Sequence, residues 1–314
     1  MRKIVIPLAI LFLLAAPWIV SDPFFVHLMI IVLMWTVLGA SWNILGGFTG
    51  QVSFGHATFL GAGAYTTMIL YLKLGIAPWY GIPIGGLAAA LIALPVGVIC
   101  FRLRGPYFAL STLAVAEIVR LVALNWESLT NGPVGLLITT LPDVTFWGWS
   151  IDWENKTPFY YIIAVLALGA IAATYKMSRT RLGAYLLAIR EDIDSAEAIG
   201  INTVQARVAA LSLSAFFAGV AGGFYAMYFR YIDPDAVFSI ALSIEMVFIA
   251  VVGGLTTVVG PLIGAIVLVT FGETFRQIIL VGHLILYGIA MMLAIRYMPE
   301  GIWGKLRLWF GTRY

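Results

Sequence analysis

The side chains best equipped for chemistry in this sequence are few and stand apart. Glu245 sits in the apolar stretch SIEMVFIAVV with no basic residue within a helical turn. A carboxyl in such a setting must take up a proton or share a hydrogen bond with another helix, and the first case would let it relay protons. His56 lies among glycines, which suits a packed neutral imidazole better than a relay. Asn43, Gln51 and Ser53 precede it and can either line a polar path or tie helices together. Glu117 with Arg120, and Glu273 with Arg276, share a spacing of three, so each pair can meet on one helix face and neutralise itself. None of this amounts to catalysis. There is no GxxxxGK(S/T) phosphate loop to bind ATP and no nucleophile elbow. His27, His56 and His283 are not at ligand spacing, and one cysteine, Cys100, makes neither a disulfide framework nor a thiolate cage. The expectation is a protein that is not an enzyme, with no catalytic residues, no metal and no cofactor.

The elements that position these residues are membrane spans. Hydrophobic residues make up 62% of the 314 and charged ones 11%, and apolar runs of about 20 residues recur along the chain. The fold class is therefore all-α, a polytopic membrane protein of about ten transmembrane helices forming one domain over 1–314. Spans are expected near 4–20, 24–45, 52–72, 78–101, 107–124, 159–175, 206–229, 240–256, 260–280 and 283–298. The basic N-terminus followed by an apolar run resembles a signal peptide, but Trp18 and Ile19 stand where small cleavage-site residues belong, so it reads as an uncleaved first span that starts inside. With that start, 13 of the 18 Lys and Arg residues fall on the cytoplasmic side. Only Lys73, Arg120, Lys156, Arg230 and Arg276 fall elsewhere, and this asymmetry puts both termini in the cytoplasm. The net charge of +3 thus reflects topology and not a nucleic-acid face.

Three segments break the apolar pattern. The loop 125–158 faces outward and carries Trp126, Trp147, Trp149 and Trp153 among acids, an interfacial belt that can also dock a soluble protein. A charged island at 176–207 faces inward. Within it Leu186, Ile189, Ile193, Ala196 and Gly200 recur at steps of three and four, a small apolar helical face that needs burial against this chain or a partner, with Gly200 as its stop. Two glycine-rich stretches, Leu45 to Tyr65 and Val252 to Ala265, are either broken helices lining a path or sites of close helix packing. A GG(F/L)T element opens both, a weak hint of two inverted halves of five spans.

Five segments in order, GGFTGQVSFGHATFLGAGAY, RGPYFALSTLAVAEIVR, NGPVGL, SRTRLGAYLLAIREDIDSAEAIGI and IEMVFIAVVGGLTTVVGPLIGA, resemble the permease subunits of branched-chain amino acid ABC transporters over nearly the whole chain. That family carries a cytoplasmic EAAxxxG element, matched here by Asp194-Ser195-Ala196-Glu197-Ala198-Ile199-Gly200 with Asp for Glu and Ser for the first Ala. The resemblance implies coupling to an ATPase through Arg179, Arg181, Gly183, Arg190, Asp194, Ala196 and Gly200. It further implies a homologous second permease forming a heterodimer, two cytoplasmic ATP-binding subunits, an outer solute-binding protein and a place in the cell inner membrane. The candidate translocation path comprises Asn43, Gln51, Ser53, His56 and Glu245. Urea or short-chain amides are the alternative cargo. A self-sufficient proton-coupled secondary transporter using Glu245 is the alternative of a different class.

Overall fold

A computed structural model describes residues 22–140 and 155–278 continuously, together with 16–18, 145–146, 149–150, 288, 292, 296 and 301–309. Helix starts are written by proline and caps. Helix α1, Pro23–Trp42, begins where the Asp22 carboxylate accepts from the amide of Phe24 at 2.8 Å with Pro23 in the first turn. Helix α2 is His56–Leu74 and stops at Gly75, whose φ of 66° only glycine adopts cheaply. Helices α3, Pro78–Cys100, and α4, Pro106–Asn125, again open on proline, and α5 spans Thr157–Ser178. Two shorter helices follow, α6 at Arg181–Glu191 and α7 at Ile193–Ala198. Helix α8, Thr203–Phe229, is capped by Asn202, which accepts from the Gln205 amide at 3.0 Å. Helices α9, Ile240–Gly253, α10, Gly260–Ile278, and α11, Gly301–Trp309, follow among the described residues.

Helix α8 runs through the middle, packed on α2 and α3, while α1 joins it to an outer layer of α5, α9 and α10. The central seam is made by small residues. A Cβ added at Gly219 would lie 2.6 Å from the Ala89 Cβ and 2.9 Å from the Gly85 carbonyl of α3, and one at Gly222 would strike the Leu60 carbonyl of α2. Helix backbones therefore touch, which is how helices gain dispersion energy where lipid supplies no hydrophobic drive. For Gly61 and Gly63 in the first glycine-rich stretch, close packing is the reason for glycine.

Among the described residues six helices are long and apolar enough to cross a membrane: Pro23–Gly47, Pro78–Cys100, Pro106–Asn125, Thr157–Ser178, Thr203–Phe229 and Pro234–Gly253. This is a helical polytopic membrane protein. The expected span at 52–72 exists as a helix but is not apolar enough to join the six, and at 260–280 the described residues hold a shorter apolar helix, Gly260–Thr274; α2 is buried from His56 to Tyr65 and so touches protein, not lipid. The expected spans at 4–20 and 283–298 lie almost wholly outside the described residues, as do His283, Trp147, Trp153 and the side chains of Trp149 and Arg276. At the end of the bundle bearing 125–158, strand β1, Leu136–Leu137, pairs antiparallel with a strand at Tyr231–Ile232, and a small hairpin joins Thr145–Phe146 to Trp149–Ser150. Lys73 there donates to the Ser128 carbonyl at 2.6 Å and the Tyr71 hydroxyl to that of Thr140 at 2.7 Å, tying the loop to α2.

Candidate functional site

The first break in the bundle begins where α1 passes into a π-helical turn, Asn43–Gly47. Such turns are frequent at functional sites. After Gly50, at φ 71°, the chain runs without helical structure until α2 starts at His56. Buried polar groups hold this irregular stretch. The Trp42 indole donates to the Ser53 carbonyl at 2.8 Å, and the Phe54 amide donates to the Thr112 hydroxyl at 3.1 Å. His56, fully buried, has Nδ1 3.1 Å from the Ser53 hydroxyl and Nε2 2.8 Å from that of Ser214. Ser214 spends its own proton on the Ser41 carbonyl at 2.5 Å, so it must accept from Nε2–H, leaving Nδ1 to accept from Ser53. One neutral tautomer satisfies both contacts. His56 is a strut between α1, α2 and α8.

The second break, between α9 and α10, meets the first. Asn43 Oδ1 accepts from the Thr256 amide at 3.1 Å and its Nδ2 donates to the Thr257 carbonyl at 2.9 Å. Thr256 has φ 61°, an uncommon place for a β-branched residue, and the Asn43 bond helps to hold it there. A Cβ on Gly47 would collide with the Asn43 side chain and come within 3.1 Å of the same amide. The GGFT and GGLT elements therefore lie in contact. Of the expected path residues, Asn43, Ser53 and His56 are drawn into these bonds. Gln51 is buried with both atoms of its amide unpartnered among the described residues. Glu245 stands apart, partly buried on α9, with no hydrogen bond or ion pair to a described residue.

The island differs from its expected single helix. Asp192 is extended, with φ −160° and ψ 122°, and separates α6 from α7; its carboxylate accepts from the Ser195 amide at 2.6 Å, caps α7, and is held below the usual Asp range by Ser195. Leu186, Ile189 and Ala196 are buried in one cluster with Phe101, Phe108, Met177 and Ala206, and Ile193 packs on it. The chain itself covers that face, with Ala196 2% exposed and Gly183 buried against Met177 and Ser178. Arg190 is exposed and donates to the Gly47 carbonyl at 3.0 Å. Arg179 lies over the Tyr175 ring, and Arg181 is exposed. Asp194 pairs with Arg104 at 2.7 Å, which keeps that guanidinium above its ordinary value. Gly200, at φ 90° with open space where a Cβ would stand, ends α7 through the bond from the Ile201 amide to the Ala196 carbonyl. The outward surface is instead Tyr185, Leu187, Asp194, Ala198 and Ile199, the last 75% exposed.

Several partners were not visible from spacing. The expected Glu117–Arg120 pair forms with two bonds, at 2.6 and 3.0 Å, and Asp235 joins it from the turn before α9. Arg207 is buried over the Phe101 ring and donates to the Thr203 carbonyl and hydroxyl, and that hydroxyl in turn donates to Glu197 at 2.7 Å. The i to i+4 step from Thr203 to Arg207 and i+6 step from Glu197 were readable, but not that the guanidinium would be buried.

Residues 24–295 match the family described as branched-chain amino acid transport system, permease component. The chain belongs to this family. This permease is 30% identical over 291 residues to the high-affinity branched-chain amino acid transport system permease protein LivM of Escherichia coli, covering 86% of this chain and 68% of LivM. It is 22% identical to LivH of Salmonella typhimurium, over 86% of this chain and 91% of LivH. A nucleoside ABC transporter permease, NupC of Lactococcus lactis, is 26% identical over 62% of this chain and 63% of its own length. No solved structure matches the permease.

Proposed function

We propose that this chain is a membrane subunit of an ATP-driven importer in the cell inner membrane, translocating leucine, isoleucine and valine delivered by an outer binding protein. It pairs with a homologous permease, and two cytoplasmic ATP-binding subunits supply the energy. Both termini lie in the cytoplasm, the single domain 1–314 has about ten spans, 125–158 faces outward and 176–207 faces the ATPases. The observation that carries the reading is the island itself. In a chain of this family it presents an exposed tip, Ile199, at the end of a short helix whose Ala196 is buried in the protein core. An exposed apolar tip on a rigid mount suits insertion into a partner's groove.

In this mechanism closure of the ATPases pushes α6 and α7, the helices rock, and a path between the two permeases opens to one side at a time. Selection rests with the binding protein, which agrees with the absence of a buried carboxylate-binding arginine along the expected path among the described residues. The kinship with NupC makes nucleosides the second cargo to assay. The test is leucine uptake by vesicles holding the whole transporter, ATP and the binding protein, with Ile199→Glu as the variant. Ile199 is exposed, so the variant should insert and fold, yet lose about ten-fold or more in uptake because its charge must enter an apolar groove. Unchanged uptake would overturn the docking assignment.

A further inference from the structure

We propose that Arg190 is the positioning residue through which movement of the island reaches both helix breaks, by way of the Gly47 carbonyl and Asn43. The proposal rests on the reading of the island as the ATPase contact. It starts from the geometry of one side chain. Arg190 lies in the last turn of α6, whose buried residues Leu186 and Ile189 fix the helix to the core. Arg190 itself is exposed, and its guanidinium donates to Gly47 in the π-helical turn. Its stem passes so close to Gly50 that a Cβ there would stand 3.1 Å from Cγ. Gly50 also has φ 71°, so glycine is required for the backbone and leaves room for the arginine. From Gly47 the path is short: the Asn43 side chain lies against it and holds Thr256 and Thr257 of the second break.

Other attachments of the island lead to parts of the molecule that resist bending. Arg104 with Asp194 and Glu197 ties α7 to the turn between α3 and α4, and to neither break. The chain from Glu197 through Thr203 to Arg207 ends on α8, a continuous helix in backbone contact with α2 and α3. The breaks are different. Their backbone has left the regular helical ladder, and such segments absorb changes of dihedral angle during hinge motion. Arg190 thus joins the element that a partner pushes to the segments able to hinge, through a charge-assisted hydrogen bond whose direction is fixed by the planar guanidinium.

Two readouts test this. Amide exchange at Thr256, measured in the full chain, should rise about ten-fold in Arg190→Met, the factor that one charge-assisted bond is worth, and return toward the native rate in Arg190→Lys, which can still donate to Gly47. Unaltered exchange at Thr256 in Arg190→Met would break the proposed path, whatever the transporter carries. In vesicles with the complete transporter, leucine taken up per ATP hydrolysed should fall by a similar factor in Arg190→Met and in Asn43→Ala, with assembly kept. A purely structural arginine would lower the yield of complex but leave that ratio native, and this result would overturn the proposal. If the native transporter takes up no leucine with ATP, the cargo or coupling reading fails instead, and exchange at Thr256 still decides the Arg190 path.

Discussion

Replacing Gly219 by alanine puts one methyl group into the seam between α8 and α3. The added Cβ would stand 2.6 Å from the Ala89 Cβ, 2.9 Å from the Gly85 carbonyl oxygen and 3.0 Å from the Gly86 Cα, where ordinary contact begins at 3.4 Å. The two helices must part by about 0.8 Å, because neither an alanine methyl nor a backbone carbonyl has a rotamer to yield with. Overpacking of this kind costs about 2 kcal/mol, less a gain of up to ~1 kcal/mol from the better helix propensity of alanine. The net loss should lower the melting midpoint by a few degrees. Cys100 reports it: this is the chain's one cysteine, buried on α3, so its reaction with a thiol dye on heating follows the opening of the same region. Gly169→Ala is the control, since nothing lies within 4 Å of its added methyl, and it should leave the midpoint unchanged or higher. If both variants melt alike, the seam is not held by backbone contact and the packing argument is wrong.

Single cysteines at Ser178 and Ser150, in a Cys100→Ala background, should react with impermeant thiol reagents from opposite sides of the membrane; outside labelling of both would reverse the assigned topology. Glu245→Gln should keep ATP-driven uptake when the proton gradient is collapsed, since the carboxyl has no charged partner among the described residues and the amide mimics its protonated form; gradient-dependent uptake in the native protein, lost in this variant, would favour a proton-coupled carrier. The Asp192 carboxylate is held below its ordinary value of 3.8, so its stabilisation of α7 is present above that value and is lost as pH falls through the lower folded value. Asp192→Ala should therefore speed amide exchange at Ser195 near neutral pH, and the difference from native should vanish in strong acid; a difference that persists there would exclude the carboxylate as its cause.

The helix ends were legible wherever proline wrote them. The expected spans at 78–101 and 107–124 match Pro78–Cys100 and Pro106–Asn125 because a proline in the first turn sets the entry. The i to i+3 pairing of Glu117 with Arg120 was equally plain, since it depends on one helix alone. What periodicity could not disclose was who covers a face. Leu186, Ile189 and Ala196 were recognisable as an apolar surface, but the same letters suit burial against Phe101 and Met177 or against a partner. Nor could it foresee that Asn43 would bridge to Thr256, a contact between segments far apart in sequence. The glycine-rich stretches held both meanings at once: Gly63 serves packing, whereas Gly47 and Gly50 serve a break.

Helix α2 carries His56, Thr58, Thr67 and Lys73 and is not among the helices apolar enough to cross a membrane alone, yet it is the one most enclosed by protein. Its cover comes from α3, made next, and from α8, made long after. During synthesis the chain must therefore hold α2 in place while Ser214 is still missing, with the His56 imidazole lacking half of its eventual partners.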